Sequence, residues 1–180
     1  MNQWRAVSQK SVFKAKLFNV KEIVFRNKNG IEKIHHIAER NTVVSVFPLT
    51  NAYDIYLISE YRYMLGKIAL EAIAGHVDKK ESAIAAAKRE LKEEAGISAN
   101  QLEEIARIEM SGSVFKNKAH LFLAKGLEFG ETDLDDDEEI SVVKMPLEQA
   151  VEKVMTGEIN HASSMIGILM LDKLRKEKKL

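Results

Sequence analysis

The stretch that decides the fold is Gly75-His-Val-Asp-Lys-Lys-Glu81, then seven residues, then Arg89-Glu-Leu-Lys-Glu-Glu-Ala-Gly-Ile97. Its second half predicts a helix over Glu81 to Ala95, rich in Ala, Glu, Lys and Leu, with Gly96 as the C′ residue that stops it. At about 100° per residue, Ala83, Ile84, Ala87, Leu91 and Ala95 share one apolar arc. Glu90 and Glu94 fall beside that arc one turn apart, with Glu93 on the flank. Like charges at that spacing destabilise a bare helix by a few tenths of a kcal/mol, roughly 0.2–0.5. A hard divalent cation would reverse the sign, and carboxylate oxygens select Mg²⁺ or Mn²⁺ over softer metals. Arg89, four residues before Glu93, is within reach to orient its carboxylate. Glu81 falls nearly opposite Glu90 on the wheel, which suggests a structural role, accepting backbone N–H groups of the loop after Gly75. Gly75 permits a tight turn and close approach to a ligand or metal.

Working outward, two alternating runs, Lys14 to Arg26 and Ile31 to Arg40, flank Asn27-Lys28-Asn29-Gly30 and predict a β-hairpin. Thr42 to Leu49 and Asp54 to Arg62 predict a second. Lys67 to Val77 reads as one buried strand leading to Gly75. Strands over Leu102 to Met110, Ala119 to Lys125 and Ile140 to Met145 follow, and helices over Pro146 to Met155 and Ala162 to Lys178 close the chain.

Composition sets the outer limits. The 180 residues carry 27 Lys plus Arg against 27 Asp plus Glu, 46% apolar residues and no Cys. Thiol catalysis, Cys-ligated zinc and disulfides are excluded, and a neutral chain lacks the basic footprint of a nucleic-acid binder. The longest apolar run, Met165 to Leu171, is about one-third of the roughly 20 residues a membrane span needs, and no signal-peptide pattern opens the chain. The expectation is a cytoplasmic protein with no membrane partner.

An acidic helix is ordinarily a solvated face, but here every fixed position of one pattern is filled. Gly-x5-Glu-x7-Arg-Glu-U-x-Glu-Glu-x-Gly-U, with U aliphatic, is the Nudix box, and the chain resembles Nudix hydrolases. Further segments resemble the ADP-ribose pyrophosphatase branch over most of residues 40 to 175. They are Glu60-Tyr61-Arg62-Tyr63, Glu71-Ala72-Ile73-Ala74-Gly75, His120-Leu121-Phe122-Leu123-Ala124 and Gly157-Glu158-Ile159-Asn160. Ile73 stands where the branch has Pro, and Met110-Ser111-Gly112-Ser113 where it commonly has Ser-Pro-Gly, which bears on substrate choice.

The resemblance implies an α/β/α sandwich with a mixed sheet (residues 41–180), preceded by a small N-terminal antiparallel β subdomain (residues 1–40). That subdomain would help to form a homodimer. It implies Mg²⁺ held by the Ala74 carbonyl, Glu90, Glu93 and Glu94, with catalytic roles for Glu93 and Arg89. Arg62, Glu71 and Gly75 would bind substrate, Glu71 helping to form the nucleotide and metal site. The water-activating carboxylate would come from the acidic run Asp133 to Glu139, Glu138 first, Glu139 second, Asp136 third. The run is no EF-hand, since position six is Glu138 and position twelve Lys144. The expected reaction is Mg²⁺-dependent cleavage of the diphosphate in ADP-ribose or a related nucleoside diphosphate sugar. Alternatives are GDP-sugars, dinucleoside polyphosphates or oxidised nucleotides as substrates, or a binding module without catalysis. Among the histidines, His76 could touch a phosphate, His35 and His36 point to opposite faces of a strand, and His120 and His161 read as structural.

Overall fold

The structure is a computed structural model that describes residues 3–134 and 139–180. Asp136 and Glu138 therefore lie outside the described residues. In chain order the elements are β1 (Trp4–Lys14), β2 (Phe18–Asn27), β3 (Glu32–Arg40), β4 (Val43–Pro48), β5 (Asp54–Arg62), β6 (Lys67–Glu71) and β7 (Ile73–His76). Then come α1 (Ala83–Ala95), β8 (Ile97–Glu109), β9 (Phe115–Lys116), β10 (Lys118–Phe129), β11 (Ile140–Pro146), α2 (Leu147–Met155) and α3 (Ala162–Lys176). No helix among the described residues is long and apolar enough to cross a membrane.

The chain divides into two compact units. One comprises the residues up to Thr42 together with Glu109–Lys118. Its four-stranded sheet has the order β1-β2-β3-β9. The turn between β2 and β3 is organised by Asn27, whose buried side-chain oxygen accepts the Asn29 and Ile31 N–H groups at 2.9 and 3.0 Å. Gly30 takes the positive φ of 81° that the turn requires. Sequence periodicity misses β1 for a physical reason. Its pairing with β2 shifts register between Ala6 and Ser8 and again between Ser11 and Phe13, which breaks the period-two alternation, and every β1 residue is exposed.

The second unit comprises Val43–Ile108 and Ala119–Leu180. It holds one sheet ordered β7-β4-β10-β8, with β4 and β10 parallel, and another ordered β11-β5-β6, all antiparallel. Alternation along the central strands feeds two cores. Val44, Val46, Phe122 and Ala124 pack with Ala86, Ala87, Leu91 and Ala95 of α1. Phe47, Leu121 and Leu123 pack with Leu147, Ala150, Ile168 and Leu171 of α2 and α3. Helices thus cover both faces of mixed strands, the α/β/α sandwich expected. The single strand expected over Lys67 to Val77 is instead two. The chain leaves one sheet for the other at Ala72, which is fully buried and donates its N–H to Ser164 Oγ at 2.9 Å.

Gly167 shows how tightly α3 is seated. A Cβ built there would lie 2.0 Å from Phe47 Cζ, a ring that is itself fully buried. Gly167→Ala is expected to cost about 1–3 kcal/mol through overpacking, read as a lower denaturant midpoint at unchanged m.

Candidate functional site

The site lies where α1 crosses β7. Ser82, not Glu81, begins the helix: its side chain accepts the Ala85 N–H at 3.2 Å, and Gly96 closes the other end with φ 65°. Glu81 therefore precedes the helix, and the wheel position expected for it does not apply. From the loop its carboxylate accepts the Asp78 N–H at 3.0 Å and both Nε and an Nη of Arg89 at 3.1 Å. Those hydrogen bonds, from Arg89 first and then from Asp78, hold the Glu81 carboxyl below its usual range.

Arg89 is the hub. One Nη donates to Glu90 Oε1 at 2.7 Å and Glu93 Oε2 at 2.9 Å, and the other also donates to the His76 carbonyl at 2.9 Å. The planar fork suits this arrangement in a way a lysine ammonium does not. The Glu81 hydrogen bond leads the contacts that raise the Arg89 pKa above its ordinary value. The buried stripe of α1 is Ala86, Ala87, Glu90, Leu91, Glu94 and Ala95, while Ile84 is exposed. Glu90 and Glu94 thus lie on the packed face, not beside it. They face β7: Glu94 Oε2 accepts the Ala74 N–H at 3.0 Å, and a Cβ on Gly75 would fall 1.8 Å from Glu90 Oε1. Glycine is required at position 75 by that carboxylate.

A second guanidinium completes the wall. Arg62 at the end of β5 donates to Glu71 Oε2 on β6 at 2.8 Å and meets Glu60 at 2.8 Å. Burial opposes its charge, and the Glu71 hydrogen bond with the charges of Glu71, Glu60 and Glu94 outweighs it, so the pKa of Arg62 is raised. Six carboxylates (Glu60, Glu71, Glu81, Glu90, Glu93 and Glu94) are thereby linked to two guanidinium groups. The excess of hard oxygen donors fits a divalent cation in chemistry. Among the described residues no three His, Asp or Glu side chains form a finished ligand set. Glu90 and Glu93 are turned onto Arg89, and Glu94 onto the Ala74 N–H.

Of the residues singled out from sequence, Arg62, Glu71, Ala74, Gly75, Arg89, Glu90, Glu93 and Glu94 are thus joined in one wall. Glu139 is exposed and lines a cleft with Ser59, Tyr61 and Ile68. Those three residues alternate with Glu60, Arg62 and Lys67 and so face the other side of the sheet. The first residue of the acidic run and the residue that follows the run are both held in place. The Asp133 N–H donates to the Glu93 carbonyl at 2.9 Å, and Ile140 pairs with Glu60 in the β11–β5 ladder.

Glu60 is quoted from sequence in the Glu60-Tyr61-Arg62-Tyr63 segment without a role in the site, although its two-residue spacing from Arg62 puts both on one face of β5. Sequence reasoning missed a polar group beside Glu71, in which Ser45, Ser163 and Ser164 are buried and His161 is half-buried. His161 Nδ1 lies 3.0 Å from Ser164 Oγ, 3.3 Å from Ser163 Oγ and 3.8 Å from Glu71 Oε2, and Ser163 Oγ meets Ser45 Oγ at 2.8 Å. Burial lowers the His161 pKa, with the Glu71 charge opposing and the Arg62 charge adding.

Comparison with known proteins bears on this wall. The chain is 27% identical over 169 residues to the ADP-ribose pyrophosphatase of Bacillus subtilis (strain 168), covering 93% of this chain and 91% of that protein. It is 26% identical over 169 residues, with the same coverage, to the methanol dehydrogenase activator of Bacillus methanolicus. To the ADP compounds hydrolase NudE of Escherichia coli (strain K12) it is 26% identical over 163 residues, covering 89% and 87%. A crystal structure of an ADP compounds hydrolase superposes with a TM-score of 0.85 at 24% identity, covering 99% of this chain and 97% of that one, and shares the fold. The NUDIX domain pattern matches residues 39–165, well over half of the chain and the whole of the carboxylate wall, and so this protein belongs to the NUDIX domain family.

Proposed function

We propose that the protein hydrolyses the diphosphate of ADP-ribose or a closely related nucleoside diphosphate sugar, releasing a nucleoside monophosphate and a sugar phosphate, with Mg²⁺ as the working cation and Mn²⁺ as a substitute. The observation that carries this reading is the complete carboxylate set of α1, with Glu90 and Glu93 turned onto Arg89, Glu90 also against Gly75, and Glu94 on the Ala74 N–H. Glu90, Glu93, Glu94 and the Ala74 carbonyl would hold the cation. Bound there, it neutralises diphosphate charge and lowers the pKa of water.

The rest of the chemistry falls to the chain itself. Arg89 sets the orientation of Glu90 and Glu93 and, through Glu81 and the His76 carbonyl, ties the helix to the loop after Gly75. Arg62, fixed between Glu60 and Glu71, is a preorganised cation for a phosphate or a polar group of the nucleotide. The acidic run supplies the base. The bonds that hold Asp133 to the Glu93 carbonyl and Ile140 beside Glu60 support Glu138 in that role, with Glu139 the second choice. Glu138→Gln is expected to lower kcat by roughly 10² or more with little change in KM, measured by initial rates. If that variant turns over normally while Glu93→Gln is inactive, the base lies on the box helix.

Relatives of similar identity are named ADP-ribose pyrophosphatase and methanol dehydrogenase activator, so names alone do not choose between hydrolysis and another role. The intact carboxylate set supports hydrolysis over a binding module. The same reading makes the protein a cytoplasmic homodimer whose residues 1–40 form a dimerisation element. Exposed Trp4, Phe13, Phe18 and Ile34 in that region support an interface. A panel of ADP-ribose, GDP-sugars and dinucleoside polyphosphates, with products separated, tests the substrate class: ADP-ribose must give AMP and ribose 5-phosphate.

A further inference from the structure

We infer that His161 is a positioning residue for the Arg62–Glu71 pair: its imidazole lies against the same Glu71 oxygen that Arg62 holds, Nδ1 at 3.8 Å and the guanidinium at 2.8 Å, and so keeps that oxygen on Arg62 and Arg62 in one orientation for substrate. This rests on the reading that Arg62 and Glu71 bind substrate. His161 occupies the N-cap position of α3 yet makes no capping hydrogen bond with its side chain. Its ring is turned instead into the polar group beside Glu71. The Ser164 oxygen accepts the Ala72 N–H at 2.9 Å, and its hydroxyl hydrogen remains able to donate to His161 Nδ1, 3.0 Å away. Ser163 adds a second hydroxyl 3.3 Å from Nδ1 and bonds to Ser45 of β4. Three pieces of chain, β4, the β6–β7 junction and the start of α3, are pinned together by this group.

The inferred arrangement assigns the tautomer: Nδ1 accepts and the ring proton sits on Nε2. Nδ1 and Glu71 Oε2 then face each other at 3.8 Å as two acceptors, too far for a bond and repulsive if they approach. The Glu71 side chain is only 8% exposed, and Arg62 is its hydrogen-bond donor among the described residues. A carboxylate so confined keeps its bond to Arg62. Without the ring, Glu71 gains room to rotate, and Arg62 is free to swing onto Glu60, which it already meets at 2.8 Å. The sequence reading of His161 as merely structural is thereby extended to a role in substrate binding.

The test compares His161→Ala and His161→Asn with wild type on ADP-ribose. His161→Ala is expected to raise KM about 5- to 10-fold with kcat within about twofold, the pattern of lost uniform binding. Asn retains an acceptor for Ser164 and is expected to restore at least half of the loss. An unchanged KM in folded His161→Ala overturns the inference, as does a parallel fall in kcat and melting temperature that Asn does not rescue. Should His161→Ala not fold, nitrogen-15 NMR of the wild-type imidazole decides: protonation at Nε2 with Nδ1 accepting upholds the arrangement, and the opposite tautomer overturns it. The spectrum needs no substrate. If wild type fails to cleave ADP-ribose while the expected tautomer is present, the substrate reading has failed and the ring geometry has not.

Discussion

Glu93→Gln is expected to lower kcat by about 10³-fold or more while leaving the protein folded. The amide keeps the volume of the side chain and one oxygen for Arg89, so the loss is one negative charge at a position 35% exposed. Arg89 retains its bonds to Glu81, Glu90 and the His76 carbonyl. Stability should therefore change by no more than about 1 kcal/mol, the scale of a partly exposed ion pair. Activity should not be spared, because a neutral amide is a poor ligand for a hard cation and cannot act as a base. Initial rates and a thermal melt on the same preparation separate the two effects. A variant that keeps more than a tenth of the wild-type rate would remove Glu93 from the chemistry.

Gly75→Ala is the second large effect, and here stability and rate should fall together. The added methyl lands within bonding distance of the Glu90 carboxylate, so that side chain must leave its place. Its bond to Arg89 at 2.7 Å breaks, although only 11% of that carboxylate side chain is exposed. Overpacking costs about 1–3 kcal/mol, and disturbing a largely buried ion pair adds to it, so a loss of about 2–4 kcal/mol is expected by chemical denaturation. The rate should drop by about 10² or more, since Glu90 is one of the proposed cation ligands. Wild-type stability and rate in this variant would show that Glu90 does not rest on Gly75.

The sandwich was legible through the resemblance to Nudix hydrolases, and α1 with its carboxylates because they depend on local chemistry. Ser82, Gly96 and the Ala-rich stretch between them specify α1 by propensity and capping, and the fixed spacing of Arg89, Glu90, Glu93 and Glu94 places their side chains at one end of it. What stayed hidden depends on partners distant in sequence. Nothing in the alternation of Lys67 to Val77 marks Ala72 as the point where the chain changes sheets, because the partner that receives its N–H is Ser164, 92 residues away. β1 was lost to two register shifts, and the two-residue β9 lacks the length for a periodic signal. Ile84 was expected inside by hydrophobicity, but the packed face is set by what β7 offers, and it offers the Ala74 N–H and the open side of Gly75 to carboxylates. The zero net charge of the chain likewise conceals a wall in which six carboxylates are linked to two arginines.

That charge excess makes the cation the centre of the account, and its removal is the most direct test. Purified protein is incubated with ADP-ribose after exhaustive chelation, then with Mg²⁺ or Mn²⁺ restored, and AMP and ribose 5-phosphate are measured as they form. The expected result is no turnover above background in the chelated protein and recovery of both products in equal amounts on adding either ion. Turnover that persists under chelation, or restored metal that yields no cleavage of ADP-ribose or any other nucleoside diphosphate sugar, would contradict it.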